Sequence, residues 1–319
     1  MKKDMSYAGV MGRKNQILKD SVGIDFTQFE RGTVAFDYAT LMKSVEYSME
    51  DLIRIQRGTN VGQTPILEMK NLTALARKFA PEGKGARIFV KDEACNPAGS
   101  FKDRRAAISV HQAKQMGYKG VITATSGNYG AAVASQAAKH GLQCIVIQEA
   151  YDSNHVGQPE ILEKARKCEA FGADVIQLSV GPELFYVTLR LLEETGYFNA
   201  SLYTPYAIAG VETLGYEISR QMRELVGRDP DAVCVTNAGG GNLTGTARGL
   251  PTPGPGIPGS SRPAWTSRAC IWLRIRTSTG SPSPPDTPAS ACPSYLGPTV
   301  RMCRAPPAAP YVTWTAMSQ

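Results

Sequence analysis

Apolar positions between residues 50 and 250 follow two alternating periods. The runs ARIFVKD (86–92), GVITAT (120–125), QCIVIQE (143–149), DVIQLSV (174–180) and DAVCVTN (231–237) have the length and β-branched content of strands. The stretches SFKDRRAAISVHQAKQMG, YGAAVASQAAKHG, PEILEKARKCEAFG and PELFYVTLRLLEETG follow the first four runs with helical spacing. They close at Gly117, Gly141, Gly172 and Gly196, the residue type that helix ends favour. Upstream, SMEDLIRIQRG predicts a helix ending at Gly58, and residues 1–58 read as a helical lead-in. Strand–helix alternation with short loops predicts parallel pairing, hence an α/β fold with helices covering a sheet.

At about residue 250 both periods stop. Residues 251–319 hold 14 of the 21 prolines, all three tryptophans, six arginines, Asp286, and neither lysine nor glutamate. One reading is a proline-rich ligand for aromatic grooves. The other is translation in a shifted frame, with no packed structure of its own. Joining each codon's last base to the next two bases forces Asp from Trp265-Thr266 and from Trp314-Thr315, and Val from Met302-Cys303. The same decoding permits charged residues, aromatics and glycines along the whole tail. A frameshift near residue 250 is therefore the preferred reading.

The tail also accounts for most of the formal charge of +7: residues 1–250 carry only +2. With no basic stripe in the front part, a nucleic-acid partner is not expected. No run approaches the ~18 apolar residues of a membrane span, and the basic N-terminus lacks the apolar core of a secretory signal. Seven cysteines without paired spacing fit a reducing cytoplasm better than a disulfide framework or a zinc site.

Three segments carry candidate chemistry. In Asn96-Pro97-Ala98-Gly99-Ser100-Phe101-Lys102-Asp103-Arg104-Arg105, a turn leads to Ser100 as an N-cap and Lys102 in the first helical turn. The helix field, with Arg104 and Arg105, would favour a neutral, nucleophilic Lys102 amine. An ordinary solvated lysine fits the spacing as well. The segment Thr125-Ser126-Gly127-Asn128-Tyr129 sits where a strand gives way to a helix, and its hydroxyl, amide and N–H donors suit a carboxylate or phosphate; a simple capping turn is the alternative. Gly239-Gly240-Gly241-Asn242-Leu243 lies between a strand and a helix start, as a phosphate cradle would. It lacks both the dinucleotide glycine spacing and the Lys-Ser/Thr of a nucleoside-triphosphate loop, and a structural glycine turn competes with it. An activated amine, a carboxylate turn and a phosphate cradle in one α/β chain describe a lysine-bound pyridoxal phosphate site.

N-P-A-G-S-F-K-D-R resembles the Schiff-base motif of the fold type II pyridoxal-phosphate enzymes, the threonine synthase and cysteine synthase superfamily with its tryptophan synthase β-like fold. T-S-G-N-Y-G is similar to their substrate-carboxylate loop, A-G-G-G-N-L to their phosphate loop, and Gly62-Gln63-Thr64-Pro65 to their G-x-T-P entry. The resemblance implies pyridoxal 5′-phosphate bound covalently to Lys102, which also moves protons. It places Asn128 by the cofactor's 3-hydroxyl and Gly239, Gly240, Gly241, Asn242 and Leu243 around its phosphate. Thr125, Ser126, Gly127 and Tyr129 would hold the substrate carboxylate. Nothing matches the family's late serine or threonine opposite the pyridine nitrogen, so the C-terminal part of the large domain reads as missing or replaced. The implied division is a 1–58 helical extension, a 59–250 cofactor-binding catalytic region and a 251–319 tail.

Within that family, VKDEACNPAGSFK, ATSGNYGAAVASQAA, GPELFY, LLEETGYFNASLYTP and AGGGNLTGTARGL resemble the β subunits of 2-amino-4-oxopentanoate thiolases of ornithine degradation. That implies an amino-acid substrate and coenzyme A, a small α subunit as partner, and an oligomer. The alternatives are a replacement or elimination enzyme of the same family and, in another class, an inactive truncated product. His111, His140 and His155 are scattered and imply no metal site; Cys95 reads as a small buried residue and Lys164 to Lys167 as a solvated helix face.

Overall fold

The computed structural model describes residues 3–32, 35–125, 127–201, 204–236 and 239–251. The preferred frameshift and the tail beyond Pro251 lie outside the described residues. The lead-in holds helices α1 (Tyr7–Gly12), α2 (Lys14–Val22), α3 (Tyr38–Met42) and α4 (Met49–Gly58). It also holds a two-residue strand pair, β1 (Glu30–Arg31) and β2 (Ala35–Phe36), so it is not purely helical. Ser48 and Asp51 start α4 with a reciprocal capping box.

Next come β3 (Ile66–Glu68), α5 (Lys70–Phe79) and β4 (Phe89–Lys91). Then follow α6 (Lys102–Gln115), β5 (Gly120–Ala124), α7 (Asn128–His140), β6 (Gln143–Tyr151) and α8 (Pro159–Ala170). The described chain finishes with β7 (Asp174–Ser179), α9 (Glu183–Thr195), β8 (Phe198–Asn199), α10 (Pro205–Val226) and α11 (Gly241–Gly249). The main sheet runs β7-β6-β5-β8, all parallel, as the alternation predicts. One face packs Ile122 and Ile147 against Leu189 and Leu192 of α9 and Val10 and Ile17 of the lead-in. The other places Val121 and Val146 against the alanine-rich α7, with α6 behind it. Gly117, Gly141, Gly172 and Gly196 all take the left-handed backbone at their helix ends, as expected.

Two expectations fail. The 86–92 run does not join the parallel sheet: β4 pairs antiparallel with β3, Leu67 opposite Val90. Residues 232–236 form no strand, because a strand exists only through its ladder and none of the described residues pairs with them. The glycine turn is placed instead by helix packing. A Cβ on Gly249 of α11 would lie 1.7 Å from the Glu212 carbonyl oxygen of α10, and one on Gly210 of α10 would lie 2.1 Å from the Arg104 carbonyl oxygen of α6. Glycine alone permits these crossings, which stack α6, α10 and α11.

Candidate active site

Lys102 opens α6 after a tightly held turn. Ser100 is not the cap residue, since Phe101 takes that place, but its hydroxyl accepts the Lys102 N–H at 3.3 Å. Asn96 secures the turn by accepting the Gly62 N–H at 2.9 Å and donating to the Glu93 side chain at 3.0 Å. Asp103 accepts the Ala98 N–H at 2.7 Å, and burial pushes its carboxyl up to about 6. The Lys102 amine is half-buried, 5.1 Å from the Phe101 ring centre. Burial holds its pKa below the ordinary lysine value, helped by the charges of Arg105 and Lys164.

Arg104 plays no part in that depression. Its guanidinium turns away, is fully buried, and meets Glu93 at 2.7 Å and Glu217 at 2.7 Å. Thr64 donates to Glu93 at 2.5 Å, and Lys91 meets Glu217 at 3.0 Å. This network ties the Gly62–Thr64 segment, β4 and the start of α6 to α10. Burial raises the Glu93 carboxyl, but Arg104 and Thr64 outweigh it and hold it below its ordinary value.

The second turn leaves the end of β5, the middle of the sheet. Thr125 still donates its N–H to Ile147 at 2.9 Å, while its hydroxyl accepts the Gly127 N–H at 3.1 Å. Asn128 is exposed at the first position of α7. Tyr129 is fully buried and its hydroxyl donates to the Ser201 carbonyl at 3.4 Å, which leaves its backbone N–H as the group available to a ligand. Ser126 lies outside the described residues.

In the third turn Gly240, at φ +83°, caps α11 from the left-handed region. Asn242 donates to Thr236 at 3.2 Å and Leu243 is buried. A Cβ on Gly241 would stand 2.8 Å from Nη2 of Arg105, whose Cζ is 5.7 Å from the Tyr129 ring centre. Arg105 follows Lys102 by three positions on one face of α6. It therefore joins the lysine turn, the Tyr129 turn and the glycine turn. The expected solvated face of α8 is also wrong in part: Lys167 donates to the Ala98 carbonyl at 2.7 Å, and Lys164 reaches the Gly127 turn. Sequence spacing put Lys164 and Lys167 on α8 but said nothing of the direction that helix faces. Cys95, expected to be buried, is exposed.

A bare glycine cradle at a helix start, flanked by an arginine, with a half-buried amine of lowered pKa nearby, fits the phosphate and aldehyde of pyridoxal phosphate. The family profile described as "Pyridoxal-phosphate dependent enzyme" matches residues 58–263, well over half of the chain. The chain belongs to that family. As a pyridoxal-phosphate-dependent enzyme it is 68% identical over 250 residues to a "2-amino-4-ketopentanoate thiolase beta subunit" of Acetoanaerobium sticklandii, covering 78% of this chain and 53% of the relative. It is 32% identical over 187 residues to a threonine synthase of Synechocystis, covering 57% of this chain and 44% of that one. Among solved structures, a T.th. threonine deaminase superposes with a TM-score of 0.52 at 30% identity, over 64% of this chain and 61% of that one. The chain spans about half the length of the curated thiolase relatives it matches. Among the described residues no helix is long and apolar enough to cross a membrane.

Proposed function

We propose that the chain provides the cofactor-binding part of a β subunit that cleaves 2-amino-4-oxopentanoate with coenzyme A, yielding alanine and acetyl-CoA. The observation that carries this reading is the 68% identity to a thiolase β subunit, about twice that to the threonine synthase. A small α subunit, a hetero-oligomer and a cytoplasmic location belong to the same reading. So do the catalytic region at 59–250, with its 1–58 extension, and a change of frame near residue 250, which resequencing the codons for Gly245 to Arg262 tests.

When bound, pyridoxal phosphate supplies an electron sink next to the substrate's amine-bearing carbon. The protein's own residues do the holding and the proton transfer. The N–H groups of Gly239 to Leu243 take the phosphate, with Arg105 adding charge beside Gly241. Asn128, exposed at the mouth of α7, reaches the ring's 3-hydroxyl. Thr125, Ser126, Gly127 and the Tyr129 N–H take the substrate carboxylate. Lys102, held toward the neutral form, accepts a proton and returns it. In the overall reaction the coenzyme A sulfur bonds to C4 as the C3–C4 bond breaks. The electron pair stays with C3, which gains a proton to become the methyl group of alanine, and the thiol proton is lost.

The test is the full chain, mixed with an α subunit, pyridoxal phosphate, 2-amino-4-oxopentanoate and coenzyme A. Acetyl-CoA and alanine in equal amounts support the reading. Turnover of O-phosphohomoserine without coenzyme A would move the chain to the threonine synthase class instead.

A further inference from the structure

We infer that Lys164, projecting from α8 over the Gly127 turn, is the cation that receives the substrate's carboxylate. The inference rests on the cofactor and substrate reading above. A Cβ on Gly127 would lie 2.7 Å from Cδ of Lys164 and 3.2 Å from its Nζ, so the lysine stem lies across the turn because residue 127 has no side chain. The ammonium is close enough to Lys102 to act on it through its charge. Lys164 is half-buried, and no hydrogen bond or ion pair among the described residues ends on its Nζ. Its neighbour one turn on, Lys167, is used differently: it is anchored on the Ala98 carbonyl and holds the lysine turn.

The two anions of the bound pair are thereby sorted by charge. The phosphate belongs to the glycine cradle, where Arg105 stands against Gly241. The carboxylate belongs to the other turn, where the donors are a hydroxyl and backbone N–H groups without a formal charge until Lys164 is counted. A charged donor strengthens such a contact well beyond a neutral one. It also selects amino acids over amines, because an amine substrate would leave the ammonium half-buried and unanswered.

The test uses the full 319-residue chain and two stable ligands, N-phosphopyridoxyl-L-alanine and N-phosphopyridoxyl-ethylamine, which differ only by the carboxylate. Calorimetric titration should show the wild type preferring the alanine adduct by roughly 10–100-fold. Lys164→Gln should cut that preference by roughly tenfold, to what the neutral donors give, without weakening the ethylamine adduct, and Lys164→Arg should restore most of it. A Lys164→Gln chain that keeps the full preference overturns the inference and leaves the cofactor reading standing. Equal weakening of both adducts overturns it too, by assigning Lys164 to the phosphate or the fold. Binding of neither adduct to the wild type removes the cofactor reading, and the inference with it.

Discussion

The four-stranded parallel sheet is covered on both faces, whereas the β3–β4 pair is covered on one. In β5, Val121 and Ile122 point to opposite sides and both are fully buried, one under α7 and the other under α9. In the smaller pair, Ile66 and Phe89 pack on the α10 cluster, while Leu67 and Val90, directly opposed, are 47% and 42% exposed. Both regions are built from short apolar runs of the same kind. What separates them is the helices that follow, which close over the large sheet and leave one face of the small one open. The candidate site hangs from both: β5 leads into the Gly127 turn, and β4 leads into the lysine turn.

The largest loss is expected where the two regions are joined. Glu217→Gln leaves buried Arg104 short of one carboxylate and Lys91 without its ion pair, and should cost about 3–5 kcal/mol in urea unfolding. Next, Ile122→Ala in the covered sheet should cost about 2–5 kcal/mol. Leu67→Ala on the open face should stay within about 0.5 kcal/mol. Matching losses for these two would mean that the β3–β4 face is covered in solution, and the contrast would fail.

A smaller effect follows from pH. Asp103 holds its proton up to about 6 when folded, against 3.8 for a free carboxyl. Between those values the folded state binds more protons than the unfolded one, so this group's contribution falls as pH rises through the window. Asp103→Asn should lose that decline while keeping the contact to Ala98; melting temperatures from pH 4 to 7 read the difference. The smallest effect concerns Lys102, whose amine is pushed down by burial first and then by Arg105 and Lys164. Lys164→Gln removes one of those charges, so the pH midpoint of Lys102 acylation should move upward. A downward shift would contradict the placement of Lys164.

Legibility followed locality. The helices ending at Gly117, Gly141, Gly172 and Gly196 and the position of Lys102 rest on contacts within a few residues, while the strands β5 to β7 show as β-branched runs set between those helices. The antiparallel partner of β4 lies more than twenty positions away and left no local mark. Residues 231–237 read as a strand because composition alone cannot say whether a neighbour is present. Helix α10 went unread since its first two turns, Pro205 to Val211, are buried all round and show no polar face to set the period. For the candidate site, the turns that precede α6, α7 and α11 were legible, but the reach of Lys164 and Lys167 toward two of them was not. Nor was the division of labour between Arg104, locked into the Glu93–Glu217 network, and Arg105, which faces the glycine cradle.

The central claim is that three turns converge on Lys102 to hold pyridoxal phosphate. The most direct test is to incubate the full chain with the cofactor, reduce with borohydride, digest, and locate the phosphopyridoxyl group by peptide mass spectrometry. The account predicts modification at Lys102, lost entirely in Lys102→Ala. Labelling centred on Lys164, Lys167 or another lysine, or none above the background of an unfolded chain, would contradict it.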